Sequence, residues 1–448
     1  MLCIGKLKPN ATQFIALGFA VIILLGALML SLPFAARDGQ PTPFVDALFT
    51  AASATCVTGL VVYDTYVHFS MAGQLIILLL IQVGGLGFMS MASLCMLVAG
   101  KRIGLRERSL LMESINTTQI GGIVRLMRHI LVGTLIFEGV GALLLSIRFC
   151  AQFGLWQGMY FGIFHSVSAF CNAGFDLMGC VEPYSSLMSY RADALVNITV
   201  MLLIIIGGLG FIVWEDLYTK RLRFSRYRLH TKLVLTTTLA LIIGGAVLFY
   251  LSERDGVLNG LGTGEIVLSS LFQSVSPRTA GYNTLDIAAY STNGSVLTIF
   301  LMFVGGSPGS TAGGLKTTTL MVMLLTLLAS VRHRDELNAF GRRLEDGVAR
   351  RAYSIATIYL LSAGLAYYLI MHLQDGLSPG ELLFEVFSAI GTVGLSTGIT
   401  RELEPPARII IAFLMYCGRV GSLSVLMAVA QRGGAPTIKL PTEKITIG

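Results

Sequence analysis

The stretch "SPRTAGYNTLD", residues 276 to 286, follows the short apolar run "EIVLSSLFQSV", 265 to 275, and centres on one glycine, Gly281. Composition frames its meaning. The chain has 448 residues, 54% hydrophobic and 13% charged, with a mean hydropathy of +0.74, too apolar for a soluble globular protein. Apolar stretches long enough to cross a bilayer recur at 11–36, 71–99, 129–147, 195–213, 233–252, 295–331, 352–371 and 409–430. They predict eight spans, the first retained as a helix rather than cleaved as a signal peptide. The run before Gly281 is too short to be a ninth. At about 1.5 Å per residue it enters roughly 30 Å of hydrocarbon without crossing it.

The same arrangement occurs three more times. "PFVDALFTAASA" (43–54), "GMYFGIFHSVSAF" (158–170) and "ELLFEVFSAI" (381–390) are also short apolar runs. They lead into "TCVTGLV" (55–61), "FCNAGFD" (170–176) and "GTVGLST" (391–397), as the third run leads into "PRTAGYN" (277–283). The central glycines, Gly59, Gly174, Gly281 and Gly394, are 115, 107 and 113 residues apart. A second set of related strings follows at matching places: "VGGLGF" (83–88), "IGGLGF" (206–211), "VGGSPGS" (304–310) and "CGRVGS" (417–422). The chain therefore reads as a fourfold repeat. Its units are 11–100, 125–216, 230–332 and 350–431, with a cytoplasmic tail at 432–448. The fold class expected is an all-α membrane protein. Four tandem helix, pore-loop, helix units, with eight transmembrane helices and four re-entrant half-helices, surround a pseudo-fourfold central pore.

Charge sets the expected orientation. The connections 101–128, 220–232 and 332–351 carry six Lys or Arg each and are read as cytoplasmic, placing both termini inside. The other four connections hold six bases against fifteen acids, and a negative outer mouth concentrates cations. The basic inner face suits anionic lipid or an acidic partner.

Non-helical backbone at membrane depth is tolerated only where protein buries it or water lines it. Glycine allows successive carbonyls to point one way and replace an ion's hydration shell. Four such strings around one axis therefore predict a cation filter made of Thr55, Cys56, Val57, Thr58 and Gly59; Cys171, Asn172, Ala173 and Gly174; Arg278, Thr279, Ala280 and Gly281; and Gly391, Thr392, Val393 and Gly394. The third unit also holds an apolar stretch of 37 residues, 295–331, interrupted by "GGSPGSTAGGLKTTT" (305–319). This is read as an intramembrane gating loop, with Gly305, Gly306, Ser307, Pro308, Gly309, Ser310, Thr311, Ala312, Gly313, Gly314, Leu315 and Lys316 as its working residues. Arg419 falls where the other units have Gly85, Gly208 and Gly306. A guanidinium at that depth is costly. It is read as a positive gatepost under the filter, against the plainer alternative of an ion pair with Glu138. Lone His165 and Asn172 are expected to satisfy half-helix backbone, and Asp176 to be a rim carboxylate.

These strings resemble the pore subunits of the Trk/Ktr/HKT potassium-transporter superfamily, most closely the bacterial Ktr-type (KtrB-like) subunit. The resemblance covers nearly the whole chain. It implies K+ uptake, K+ held at Gly59, Gly174, Gly281 and Gly394, Na+ as a candidate activator, and a homodimer in the cell inner membrane. It also implies a cytosolic nucleotide-binding regulatory ring (KtrA/TrkA-like) docked on the basic loops. In plant relatives a serine at the first filter glycine goes with Na+ preference, so Gly59 resembles the K+-selective pattern.

Other functions are less well served. "GSTAGGLKT" (309–317) nearly spells a phosphate-binding loop, but Leu315 separates Gly314 from Lys316 and no strand is expected before it. No nucleotide is expected on this chain itself, nor any nucleic acid. A secondary transporter of another cation or small solute would usually show inverted repeats. A membrane enzyme would need more convergent chemistry than Glu138, Lys316 and Arg419 offer. The seven cysteines show no spacing that indicates a metal site or a disulfide framework.

Overall fold

The structure, a computed structural model, describes residues 11–87, 123–221, 223–334 and 336–421. Most of the first basic connection, the tail 432–448 and the ends of the spans 71–99 and 409–430 lie outside the described residues.

Among the described residues the elements are α-helices apart from short 3-10 turns and one hairpin, Asn338–Ala339 with Arg342–Arg343, in the third basic connection. The first unit contains α1 (Ala11–Leu30), the half-helix α2 (Phe44–Cys56), a single turn α3 (Thr65–His68) and α4 (Met71–Leu86). The second contains α5 (Ile123–Phe153), the half-helix α6 (Leu155–Phe170), α7 (Ala194–Leu209) and α8 (Phe211–Lys220). In the third, α9 (Leu229–Glu253) precedes the half-helix α10 (Thr263–Val275), α11 (Thr292–Phe303) and α12 (Thr317–Val331). The fourth contains α13 (Val348–Leu373), the half-helix α14 (Pro379–Gly391) and α15 (Pro405–Val420). All four half-helices fall where the short apolar runs place them. At 13 to 16 residues, none exceeds about 24 Å, short of the bilayer's hydrocarbon.

The first helix of each unit is long and apolar enough to cross a membrane. These helices turn apolar side chains outward: Leu24, Leu135, Leu143, Leu239 and Leu361 are between 49% and 70% exposed. In a soluble protein such a surface would aggregate; here it faces lipid. The second helices start from polar caps. Ser70 Oγ accepts from Gly73 N (3.2 Å), Asp193 Oδ1 from Val196 N (3.1 Å) and Ser291 Oγ from Gly294 N (3.1 Å), while α15 starts on Pro405.

One expectation needs correction. Residues 195–213 read as one unbroken span, but α7 and α8 meet at a bend of 96°. Gly210, at φ 95°, ends α7 in a conformation closed to most residues. The indole Nε1 of Trp214 then donates to Ile206 O (2.9 Å), a carbonyl the break leaves open. Gly87 (φ 81°) and Gly421 (φ 93°) end α4 and α15 in the same way. The third unit has Pro308 at this place, and its helix stops earlier, at Phe303. Among the described residues every unit thus ends its second helix near this place, and in the third unit a loop separates that end from the next helix.

The buried core divides into clusters at the junctions between units. Leu30, Phe69, Phe149, Phe164 and Tyr282 join the first three. Phe249, Met302, Phe384 and Val393 join the third and fourth. Phe49, Ile370, Ile411 and Met415 join the fourth back to the first. The chain therefore closes into a ring. Its closing junction is stapled by Arg408 Nη1, 2.5 Å from Asp46 Oδ1, with the other Asp46 oxygen accepting from Tyr63 OH (2.9 Å). Both charged side chains are nearly buried, so losing one strands the other, at a cost of about 3–5 kcal/mol. Arg408→Gln is expected to lower the thermal unfolding midpoint of the detergent-solubilised protein by several degrees. Adding Asp46→Asn should recover part of the loss, which thermal melts of the two variants will measure.

Candidate functional site

Each half-helix ends at a glycine string with the same backbone trace. Two residues before each central glycine stands a non-glycine residue in the left-handed region: Val57 (φ 58°), Asn172 (φ 60°), Thr279 (φ 71°) and Thr392 (φ 51°). The glycines follow at φ 97°, 70°, 79° and 95°. Left-handed backbone is unfavourable for residues with a Cβ, and it persists where the surroundings over-determine it. Four such pairs at matching places point to a shared function.

The strings meet. A methyl group placed on Gly59 would lie 2.6 Å from Ala173 O and 3.2 Å from the Cα of Gly174. On Gly174 it would lie 2.7 Å from Ala280 O and 3.0 Å from the Cα of Gly281. On Gly281 it would meet Val393 O and, at 3.2 Å, the Cα of Gly394. On Gly394 it would meet Thr58 O and, at 2.9 Å, the Cα of Gly59. The contacts run through all four units and return to the first, so the glycines form a closed ring. No side chain fits at any of the four places. Above the ring opens a cavity of about 170 Å³ whose lining includes all four glycines together with Asp64, Asp176, Asp286 and Arg401.

The remaining residues of the expected filter are distributed unevenly. Val57, Thr58, Ala173, Ala280 and Val393 lie in the strings next to the ring and are buried. Thr55, Cys56 and Gly391 still belong to the last turns of α2 and α14, and Cys171 directly follows α6, where its thiol meets Gln82 Oε1 (3.6 Å). The Arg278 side chain runs sideways, away from the ring, with Nη2 3.5 Å from Thr238 Oγ1 on α9. His165 bonds backbone of its half-helix and of the string after it, whereas Asn172, expected to do the same, bonds the side chains of Thr279 and Thr311 instead. His165 Nδ1 lies 2.8 Å from Phe161 O, and its Nε2 accepts from Leu177 N (3.2 Å). Asn172 Nδ2 donates to Thr279 Oγ1 (3.3 Å), linking two strings. At the rim, burial and then the charge of Asp64 push the Asp176 carboxyl up to about 7. The negative charge of the mouth therefore grows as pH rises through neutrality.

Four serines that the sequence reading passed over hold the strings. Ser53 Oγ accepts from Gly59 N (3.0 Å), and Ser388 Oγ accepts from Gly394 N (3.1 Å). Ser168 Oγ donates to Phe175 O (2.7 Å), and Ser276 Oγ donates to Tyr282 O. Three of them were visible as a serine six residues before the glycine, in "SATCVTG", "SAFCNAG" and "SAIGTVG". The third unit shifts its serine by one place, which hides the pattern.

The second set of strings seats the half-helices. A methyl group on Gly84, Gly207 or Gly418 would collide with Thr55 O, Phe170 O or Ile390 O, the terminal carbonyls of three half-helices. Beneath the ring lies the loop between α11 and α12, which bonds to its neighbours through its backbone and ends at Lys316, since residues 317–319, expected in the loop, already belong to α12. Ser307 N donates to Gly208 O (3.0 Å), Thr311 N to Gly207 O (3.2 Å) and Phe211 N to Gly309 O (2.7 Å). Thr311 Oγ1 also donates to Phe170 O (3.1 Å). On the other flank, a methyl group on Gly313 would strike Thr392. Lys316 Nζ donates back to Ala312 O (2.8 Å) and Gly313 O (3.3 Å), so it secures the loop to itself.

Arg419 completes the layer. Its guanidinium donates to Thr311 O in the loop, to Gly84 O and, at 2.9 Å, to Gly85 O. Among the described residues it has no ion pair, and Glu138 instead accepts from Gln82 Nε2 (3.1 Å). All four units thus converge below the ring as they do within it. Close seating predicts a sharp contrast between two glycines in helices. Gly84→Ala should sharply reduce the yield of monodisperse protein in gel filtration. Gly139→Ala, where a methyl group meets nothing within 4 Å, should leave the yield unchanged or stabilise the protein by up to about 1 kcal/mol.

Residues 10–435 match the family model TrkH, described as cation transport protein. The chain is 42% identical over 455 residues to the potassium/sodium uptake protein NtpJ of Enterococcus hirae, covering 99% of this chain and 98% of that one. It is 40% identical to the Ktr system potassium uptake protein B of Bacillus subtilis, covering 97% and 96%. Its fold is similar to the crystal structure of the potassium transporter TrkH from Vibrio parahaemolyticus, with a TM-score of 0.73 and 19% identity over 96% of this chain and 87% of that one. The chain is a multi-pass membrane protein and belongs to the TrkH family of cation transport proteins, a family of ion transporters and not of enzymes.

Proposed function

We propose that this chain is a K+ uptake pore in which the four glycine strings form the selectivity filter and the loop between α11 and α12, held by Arg419, forms the gate. The observation that carries this reading is the closed ring. Four strained backbone segments from four units, braced by buried serines, meet under an acidic mouth. Backbone carbonyls in such a ring suit a desolvated alkali cation. The relatives from Enterococcus hirae and Bacillus subtilis, both named as potassium uptake proteins, support K+ as the cargo. The first of these names also includes sodium, which supports a role for Na+ as a second ion.

The units 11–100, 125–216, 230–332 and 350–431 are the pore modules. In our reading the basic connections face the cytoplasm of a cell whose inner membrane holds the protein as a homodimer. A cytosolic nucleotide-binding ring regulates it by docking on those connections. Among the described residues, some of the bases there are already engaged: Lys220 and Arg228 with Asp216, and Arg343 with Glu336 and Asp346.

K+-limited growth of an uptake-deficient cell tests the filter. The parent chain, expressed with its regulatory subunit, is expected to restore growth. Gly281→Asp, which forces a side chain into the ring, should abolish it while the protein still reaches the membrane. Equal rescue by both would remove the filter assignment.

The gate makes a separate prediction. A hydrogen bond to a charged group contributes about 1.5–3 kcal/mol, so Arg419→Gln weakens the hold on Thr311 O enough to shift the loop's equilibrium about tenfold or more. Flux of Rb+ into proteoliposomes should rise by a comparable factor and lose its dependence on the regulatory subunit. Unchanged flux and unchanged regulation would reduce Arg419 to a packing role.

A further inference from the structure

A second cavity, larger than the one above the ring, lies outside the pore. It has a volume of about 820 Å³ and sits between the start of α5 and the bend that joins α7 to α8, within the size range of pockets that hold small ligands. Ile130, Ile136, Phe137, Leu209, Phe211 and Trp214 supply apolar walls, and the exposed Tyr218 also lines it. One end is basic. Arg125, Arg128 and His129 line it, all three exposed. Neither arginine has an ion pair within 4.0 Å among the described residues. The one acid in the lining, Glu215, has Arg228 Nη1 at 3.7 Å to offset it. Apolar walls beside cations that have no ion pair among the described residues suit a molecule with an anionic head and a hydrocarbon tail.

We propose that this cavity binds one anionic phospholipid from the bilayer, its phosphate on Arg125 and Arg128 and an acyl chain along Ile130, Phe137 and Leu209. On the orientation adopted above, the lipid comes from the inner leaflet. The assignment of that leaflet rests on that reading; the binding itself does not. The wall formed by Phe211 and Trp214 is also the elbow whose first amide, Phe211 N, holds Gly309 O of the loop (2.7 Å). The lipid therefore sits against the element that carries the loop.

The chain's two tryptophans allow a direct test. Trp156 is 83% exposed and lies just past the end of α5 opposite the cavity. In a Trp156→Phe background the fluorescence reports on Trp214 alone. The full chain is reconstituted in vesicles of zwitterionic phosphatidylcholine, and brominated phosphatidylglycerol or brominated phosphatidylcholine is titrated in as quencher. Brominated phosphatidylglycerol is expected to reach half-quenching at about a tenth of the mole fraction or less, given two arginines near the phosphate. Arg125→Gln with Arg128→Gln should erase the difference, and Arg125→Lys with Arg128→Lys should keep most of it, separating lost charge from a damaged fold.

Equal quenching by both lipids in the parent would overturn the proposal. So would no quenching by either, which would mean that residues 88–122 or a second copy of the chain fill the space. A preference that survives loss of both arginines would overturn it as well. These outcomes do not depend on transport: a failed filter leaves the quenching intact, and failed quenching leaves K+ uptake intact.

Discussion

A peptide group carried into a membrane must find its hydrogen bonds within the protein, and this constraint shapes every part of the structure. The half-helices exist because a helix is the cheapest way to bring backbone to that depth. They stop where the backbone has to be freed. From there the partners are supplied one by one: serine hydroxyls for Gly59 N and Gly394 N, loop threonine for Phe170 O, indole for Ile206 O. The glycines satisfy a second constraint of the same kind. Four non-helical strings can approach one axis only if no side chain stands between them, and a methyl group at any ring glycine would press on the next unit.

The layer beneath the ring follows the same logic with one substitution. Three units place a glycine against the end of their half-helix, and three end their second helix at a left-handed glycine. The third unit replaces that ending with a loop, and the fourth places Arg419 beside it. The guanidinium reaches carbonyls of the first unit and the third, so one side chain ties the loop to the far side of the ring. Because the loop is also bonded to the elbow of the second unit, movement of the loop must break bonds to two neighbours. The gate proposed here would open only when several weak contacts yield together.

Much of this was legible in the sequence because hydrophobic length and the recurrence of strings are coarse features. Four runs too short to span, each followed by a related glycine string, specified the half-helices and their ends. What escaped depended on a single residue in three-dimensional context. The bend after Leu209 was hidden because Gly210 sits inside an apolar run, where a glycine is as readily a packing residue as a break. The last glycine of "GGLG" was the available clue, since Gly87, Gly210 and Gly421 share its place. The bracing serines were overlooked because Ser276 is displaced by one position from the other three. The sideways course of Arg278 could not be read at all, since nothing in "PRTAG" says which way the side chain turns.

The central claim is that the ring holds the transported ion, and the most direct measurement is a structure of the full chain determined by anomalous diffraction in Rb+. The account predicts an anomalous peak on the axis enclosed by Gly59, Gly174, Gly281 and Gly394, in contact with backbone oxygens from all four units, and its loss when Na+ replaces Rb+. An axis without a peak, or Rb+ bound only at the acidic rim by Asp64 and Asp176, would contradict it.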